Sequence, residues 1–129
     1  MATSPQFIST GVIAQVNISA ANTALDGTGT ITELVAGVAG GRRILEVVAK
    51  AAATSANSQI GLFLSIDSGT TWRLFDQINL IAATVSTTVA SARVSRTYSN
   101  LVLNGTAHRV GVTTTVAQSV NVIALGGDL

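Results

Sequence analysis

Gln59-Ile60-Gly61-Leu62-Phe63-Leu64-Ser65-Ile66-Asp67-Ser68-Gly69-Thr70-Thr71-Trp72-Arg73-Leu74-Phe75-Asp76-Gln77-Ile78-Asn79 is the stretch that decides the fold class. Ile60, Leu62, Leu64 and Ile66 recur at every second position, the period of a strand with one buried face. Asp67-Ser68-Gly69-Thr70 then reverses the chain, because Asp bonds its own turn amides and Gly accepts a positive φ. Beyond the turn, Trp72, Leu74 and Ile78 are expected to share a face interrupted by Asp76. Two such runs about an Asp-Gly turn predict a β-hairpin.

Outward from this hairpin the same period recurs. Val12, Ala14, Val16 and Ile18 alternate with Gln15 and Asn17. A loop over 22–29 carries Asp26-Gly27, and a strand is expected from about Thr30 to Ala36. Gly37-Val38-Ala39-Gly40-Gly41 turns the chain again. Arg42 to Ala53 is ambiguous: Glu46 and Lys50 at i,i+4 suit a helix, yet Ile44, Glu46, Val48 and Lys50 alternate with Arg43, Leu45, Val47 and Ala49. The β-branched content favours a strand. Further strands are expected at about Thr87–Ser95, His108–Thr114 and Ser119–Leu125, with Leu101-Val102-Leu103 a short one inside a linker. The sum is an all-β chain of about eight strands. It is expected to form a single-domain, jelly-roll-like β-sandwich over 11–129, preceded by an extended arm over 1–10.

Composition agrees. Among 129 residues there are fifteen Val, ten Ile and seventeen Thr, about a third of the chain, and all three types fit a pleated surface better than a helix. Only 10% of residues are charged, against about 25% in ordinary globular domains. Residues 1–25, Gln77–Ala92 and Val110–Gly127 carry no charge at all. A surface so poor in charge is expected to be covered by other subunits, so an obligate homo-oligomer or a subunit of a larger assembly is anticipated. Phe7 and Ile8, the apolar residues of the arm, are candidate assembly contacts.

The same numbers exclude several functions. Seven Lys and Arg against six Asp and Glu give a net charge of +1, which argues against nucleic acid as a partner. Without cysteine there is no disulfide, thiolate nucleophile or zinc-thiolate site. No stretch reads as a membrane span, because Val110–Gly127 is interrupted by Thr, Gln, Ser and Asn. Met1 to Pro5 has neither the basic start nor the apolar core of a secretory signal.

Catalytic candidates are few. His108, the single histidine, would need a nucleophile and an orienting carboxylate within reach, and no G-x-S-x-G turn places a serine. No two of the six carboxylates fall within six residues of each other, so none has the spacing of a metal loop. No catalytic residue, cofactor or metal is therefore expected. Trp72, Arg73 and Tyr98 are candidate glycan contacts, since aromatic faces stack on sugar rings; a lone hairpin Trp more commonly packs in the core.

Two resemblances bear on the reading. Ser65-Ile66-Asp67-Ser68-Gly69-Thr70-Thr71-Trp72 resembles the S-x-D-x-G-x-T-W Asp-box of sialidase-type propellers. In that family the box is a structural hairpin repeated in several blades, so one copy implies a turn and no sugar cleavage. More broadly, the chain resembles small virion proteins of tailed phages and prophages. The matching blocks are 22–31, the glycine-rich turn with Arg43-Ile44, Gly61-Leu62-Phe63-Leu64 with its turn and Arg73-Leu74, and 121–129. Thr84 to Arg96 departs from that pattern.

The resemblance implies a non-enzymatic structural protein, assembled in the host cytoplasm and located on the virion. The expected role is a capsid decoration (cement) subunit that binds the major capsid protein or another virion protein and braces the shell. This role goes with a homo-oligomer, a trimer in particular, and in it the arm would lie on a neighbouring subunit. A receptor- or glycan-binding module of a tail or head fibre is the alternative. A hydrolase, with His108 and a carboxylate sharing a cleft, is the third possibility.

Overall fold

The computed structural model describes residues 8–129. It is all-β, with eight strands in two four-stranded antiparallel sheets: β1 (Thr10–Ile18), β2 (Thr32–Ala36), β3 (Arg42–Ala51), β4 (Ser58–Ser65), β5 (Arg73–Leu80), β6 (Arg93–Leu103), β7 (Arg109–Thr114) and β8 (Val120–Asp128). The first sheet has the order β1-β8-β3-β6 and the second β2-β7-β4-β5. Only the β4–β5 hairpin joins neighbours within a sheet; every other connection crosses between the two layers.

The core lies between the layers. Ile18, Ile44, Val47, Ala49, Leu103, Val120, Val122 and Ala124 from the first sheet meet Leu34, Val35, Ile60, Leu62, Ile78, Leu80, Val110 and Val112 from the second. All are at most 6% exposed, and at 1.5–3 kcal/mol for each fully buried large aliphatic side chain they supply the main favourable term. β1 follows the expected alternation, with Val12, Ala14 and Val16 half-buried and Ile18 buried.

The ambiguous segment after Gly41 is a strand, as its β-branched content favours. Its expected alternation is broken, however, by a bulge between Ile44 and Glu46 against β8, while against β6 the excess residues lie on β6 between Thr97 and Leu101. The extra residue, Leu45, moves Val47, Ala49 and Ala51 onto the face of Ile44, whereas strict alternation places Val48 there. A second bulge, opposite Leu62 and Phe63, contains Phe75. It separates residues expected on one face: Leu74 pairs with Phe63 on the outside, while Ile78 pairs with Ile60 in the core.

Two strand boundaries differ from expectation. Residues 87–92 are loop, and Arg93 to Leu103 form one long strand that absorbs the short strand expected at 101–103. The run around Thr87 is β-branched but has no alternating apolar face to bury. β8 continues through Gly126 and Gly127 to Asp128. Glycine is required at 126, because a Cβ there would overlap the carbonyl of Arg43. Of the arm expected over 1–10, Phe7 and the residues before it lie outside the described residues. Ser9 N donates to Asp128 O at 2.8 Å, and Thr10 already belongs to β1.

Candidate functional site

Antiparallel pairing brings three loops to one end of the sandwich. Ala51 and Ile18 both pair with Val120, Lys50 pairs with Arg93, Ser58 with Leu80, and Ile60 with Thr114. Loops 52–57, 81–92 and 115–119 therefore meet there, and none contains a charged residue.

Side-chain oxygens and amides hold these loops to one another. Ser55 and Ala83 exchange backbone hydrogen bonds at 2.9 and 3.1 Å. Ala82 N donates to Asn57 Oδ1 at 2.8 Å, Val85 N to Thr54 Oγ1 at 3.1 Å, and Ser55 Oγ to Ile81 O at 2.9 Å. Gln118 accepts from Ala56 N at 2.8 Å and donates to Ser58 Oγ at 2.9 Å. Apart from Lys50 Nζ, which donates to Ser91 O at 2.8 Å from the end of β3, these bonds between the loops involve no charged group, and aliphatic side chains face outward. Ile81 is 66% exposed, Val89 49% and Val85 37%. Beside Ile81 lies a concavity of about 490 Å³ between 57–59, 79–81 and Thr115, lined without charge.

The opposite end holds the hairpin turn. Asp67 Oδ1 accepts from Ser65 Oγ and Thr71 N, each at 2.8 Å, and Ser65 Oγ accepts from Gly69 N at 2.8 Å. These bonds hold the Asp67 carboxyl below its ordinary value, the one to Thr71 N contributing most. Ser68 (φ 62) and Gly69 (φ 87) occupy the left-handed region, and Trp72 packs over Gly69. This is the turn expected from the Asp-box pattern.

Trp72 also crosses Gly111 on the outer face of the second sheet, beside Ile31. Phe63 pairs with Gly111 and is fully buried although it points away from the core. Gly61 and Gly111 thus leave room on this face, Gly61 beside the Phe63 ring and Gly111 beneath the Trp72 ring, a pairing of aromatic with glycine that sheets use for cover. No period-two argument anticipates it, because both faces of β4 are buried here.

Tyr98 sits in a different environment. It packs against the core and Phe75, with ring centroids 5.9 Å apart, and its hydroxyl donates to Asp76 Oδ2 at 2.9 Å. Burial, reinforced by the Asp76 carboxylate, raises the phenol above its ordinary value. Arg96 pairs with the same carboxylate at 3.2 Å. Trp72 and Arg73 thus lie by the hairpin turn while Tyr98 is turned between the layers, so the three candidate glycan contacts are not presented as one surface. His108 accepts from Asn104 N at 3.2 Å within the turn that precedes β7. Ile8, the described one of the two candidate assembly contacts, covers Gly127 on the outer face of the first sheet.

Two other ion pairs, Arg42–Asp128 and Arg109–Glu33, both at 2.7 Å, complete the bridges among the described residues. No group of three metal-ligating side chains occurs among those residues, and no helix is long and apolar enough to cross a membrane. No protein-family model and no curated protein matches the chain. The uncharged end combines exposed aliphatic side chains with loops that carry no charge. Its sequence signal is the pair of charge-free runs, whose convergence follows only from the sheet register.

Proposed function

We propose that the chain is a non-enzymatic structural subunit of a tailed-phage virion, a decoration subunit on the outside of the head. The observation that carries this reading is the uncharged loop end, where Ile81, Val85 and Val89 stand on a hydrogen-bonded backbone. Such a surface costs little ordering entropy on docking and buries apolar area against a partner. Single contacts of this kind are weak, but repetition over a symmetric shell multiplies them into avidity. The strand orders β1-β8-β3-β6 and β2-β7-β4-β5 support a jelly-roll reading, an architecture found among capsid and lectin domains. The likeness of residues 22–31 and 121–129 to phage virion proteins points the same way.

The test is to mix the purified protein with undecorated tailed-phage heads, then sediment the heads. Saturation at a fixed copy number supports the reading. Failure of the wild-type protein to sediment with the heads removes it, and a glycan screen then tests the fibre-module alternative.

A further inference from the structure

Four charged residues on the outer face of the first sheet, Arg43, Glu46, Lys50 and Arg93, have no ion-pair partner among the described residues. Arg43 lies on β3 opposite Gly127 of β8 and Val102 of β6. Its Nη2 donates to Ser99 O at 2.7 Å, but its Nε is buried without a hydrogen-bond partner among the described residues. The Nε is closed to any partner, but the half-buried guanidinium as a whole has no carboxylate beside it among the described residues, and a carboxylate is its strongest counterpart. Glu46, on the same face of the same strand opposite Leu125 and Thr97, makes no ion pair or side-chain hydrogen bond among the described residues. Between the two stands Leu45, the bulge residue, 37% exposed. Ile13 at 73% and Val102 at 41% flank them on the edge strands, and Ile8 covers Gly127 alongside.

We propose that this face is an isologous interface with a second copy of the chain. A two-fold axis lying in the interface and crossing β3 near Leu45 runs the two β3 strands antiparallel, face to face. Arg43 of each copy then meets Glu46 of the other, and the two Leu45 side chains meet at the axis. Only a two-fold satisfies both charges with one patch, because in an isologous contact residue i meets j and j meets i. The pairing buries Ile13, Leu45 and Val102 together. Lys50 and Arg93, which sit side by side farther along the sheet, fall outside the overlap as part of a polar rim. This association is two-fold, where the decoration reading goes with a trimer. It does not depend on the virion reading and is tested without phage heads.

The test is the solution mass of the full chain by sedimentation equilibrium, with charge exchange across the axis. The wild-type protein is expected at twice its 13.1 kDa. Arg43→Glu and Glu46→Arg alone each place like charges across the axis and weaken the dimer at least about tenfold. The double exchange restores it to within a few-fold. Circular dichroism and a thermal melt check that each variant is folded. As a second measurement independent of those substitutions, Leu45→Cys, introduced into a chain without cysteine, forms an intersubunit disulfide under mild oxidation, while Ile81→Cys at the remote end does not. A monomeric or trimeric wild type, a double exchange no better than its parents, or a Leu45→Cys chain that stays uncrosslinked each overturns the proposal.

Discussion

The Tyr98 hydroxyl donates to Asp76 Oδ2 at 2.9 Å, tying β6, an edge of one sheet, to β5, an edge of the other. Arg96 grips the same carboxylate, so a small polar clasp closes the side of the sandwich where the two edge strands face each other. Tyr98→Phe removes one donor and leaves Arg96 in place. The expected loss is about 1–2 kcal/mol of unfolding free energy, read from urea midpoints.

The same clasp gives the protein an alkaline limit. Because the folded state raises the Tyr98 phenol above its ordinary value of 10.0, the folded chain holds a proton that the unfolded chain releases. Its contribution is complete below about pH 10 and is lost progressively as pH rises from there toward the folded value. Tyr98 is the single tyrosine, so tyrosinate absorbance reports it directly. Ionisation should lag behind that of a free tyrosine and rise with unfolding, and Tyr98→Phe should flatten the fall of stability above pH 10.

On the acid side, Asp128 lies below its ordinary value of 3.8 chiefly through its hydrogen bond to Arg42. A depressed carboxylate stabilises the fold above its unfolded value and loses that contribution as pH falls through the folded one. Arg42→Met should move the Asp128 titration back toward 3.8, measured by carboxyl carbon NMR, while Asp67 keeps its depressed titration because its donors are Ser65 and Thr71.

Phe63 and the cover over Gly111, on the outer face of the second sheet, are predicted to matter as much as core residues. Phe63→Ala should cost about 3–5 kcal/mol despite its outward direction. Gly111→Ala puts a Cβ 2.5 Å from Ile31 Cγ2 and 3.0 Å from Trp72 Cζ3, and should cost about 1–3 kcal/mol by overpacking. Chemical denaturation with Trp72 fluorescence follows both.

At the uncharged end the opposite pattern is expected. Changing Ile81, Val85 and Val89 together to Ser removes exposed aliphatic surface and leaves the loop hydrogen bonds, which run through backbone atoms and other side chains. Each change should alter stability by no more than about 0.5 kcal/mol. Sedimentation with phage heads should nonetheless be lost.

Much of this architecture is written in local pattern. The β4–β5 hairpin, the strand character of residues after Gly41 and the number of strands follow from period-two alternation and turn residues. What alternation misses are the places where one extra residue changes the face. Leu45 and Phe75 look like ordinary strand residues, and nothing in their chemistry marks them as bulges; the partner strands impose the offset. Phe63 and Trp72 evade the pattern for another reason, since the loop over 19–31 buries an outer face that would otherwise be wet. The charge-free runs Gln77–Ala92 and Val110–Gly127 are plain in the sequence, but their meeting at one end depends on pairings between residues far apart in the chain. The pairing of Tyr98 with Asp76 is likewise a product of topology.

The strand order also dictates a schedule. β8, synthesised after the other seven strands, occupies an inner slot between β1 and β3. Until it emerges, the first sheet cannot close, and β1 has no neighbour within its sheet. The nascent chain must therefore wait with open strand edges, which are templates for pairing with other chains. Folding dominated by such distant pairings is intrinsically slow. Yield of native protein should thus depend on synthesis rate and temperature more than the stability of the finished sandwich would suggest.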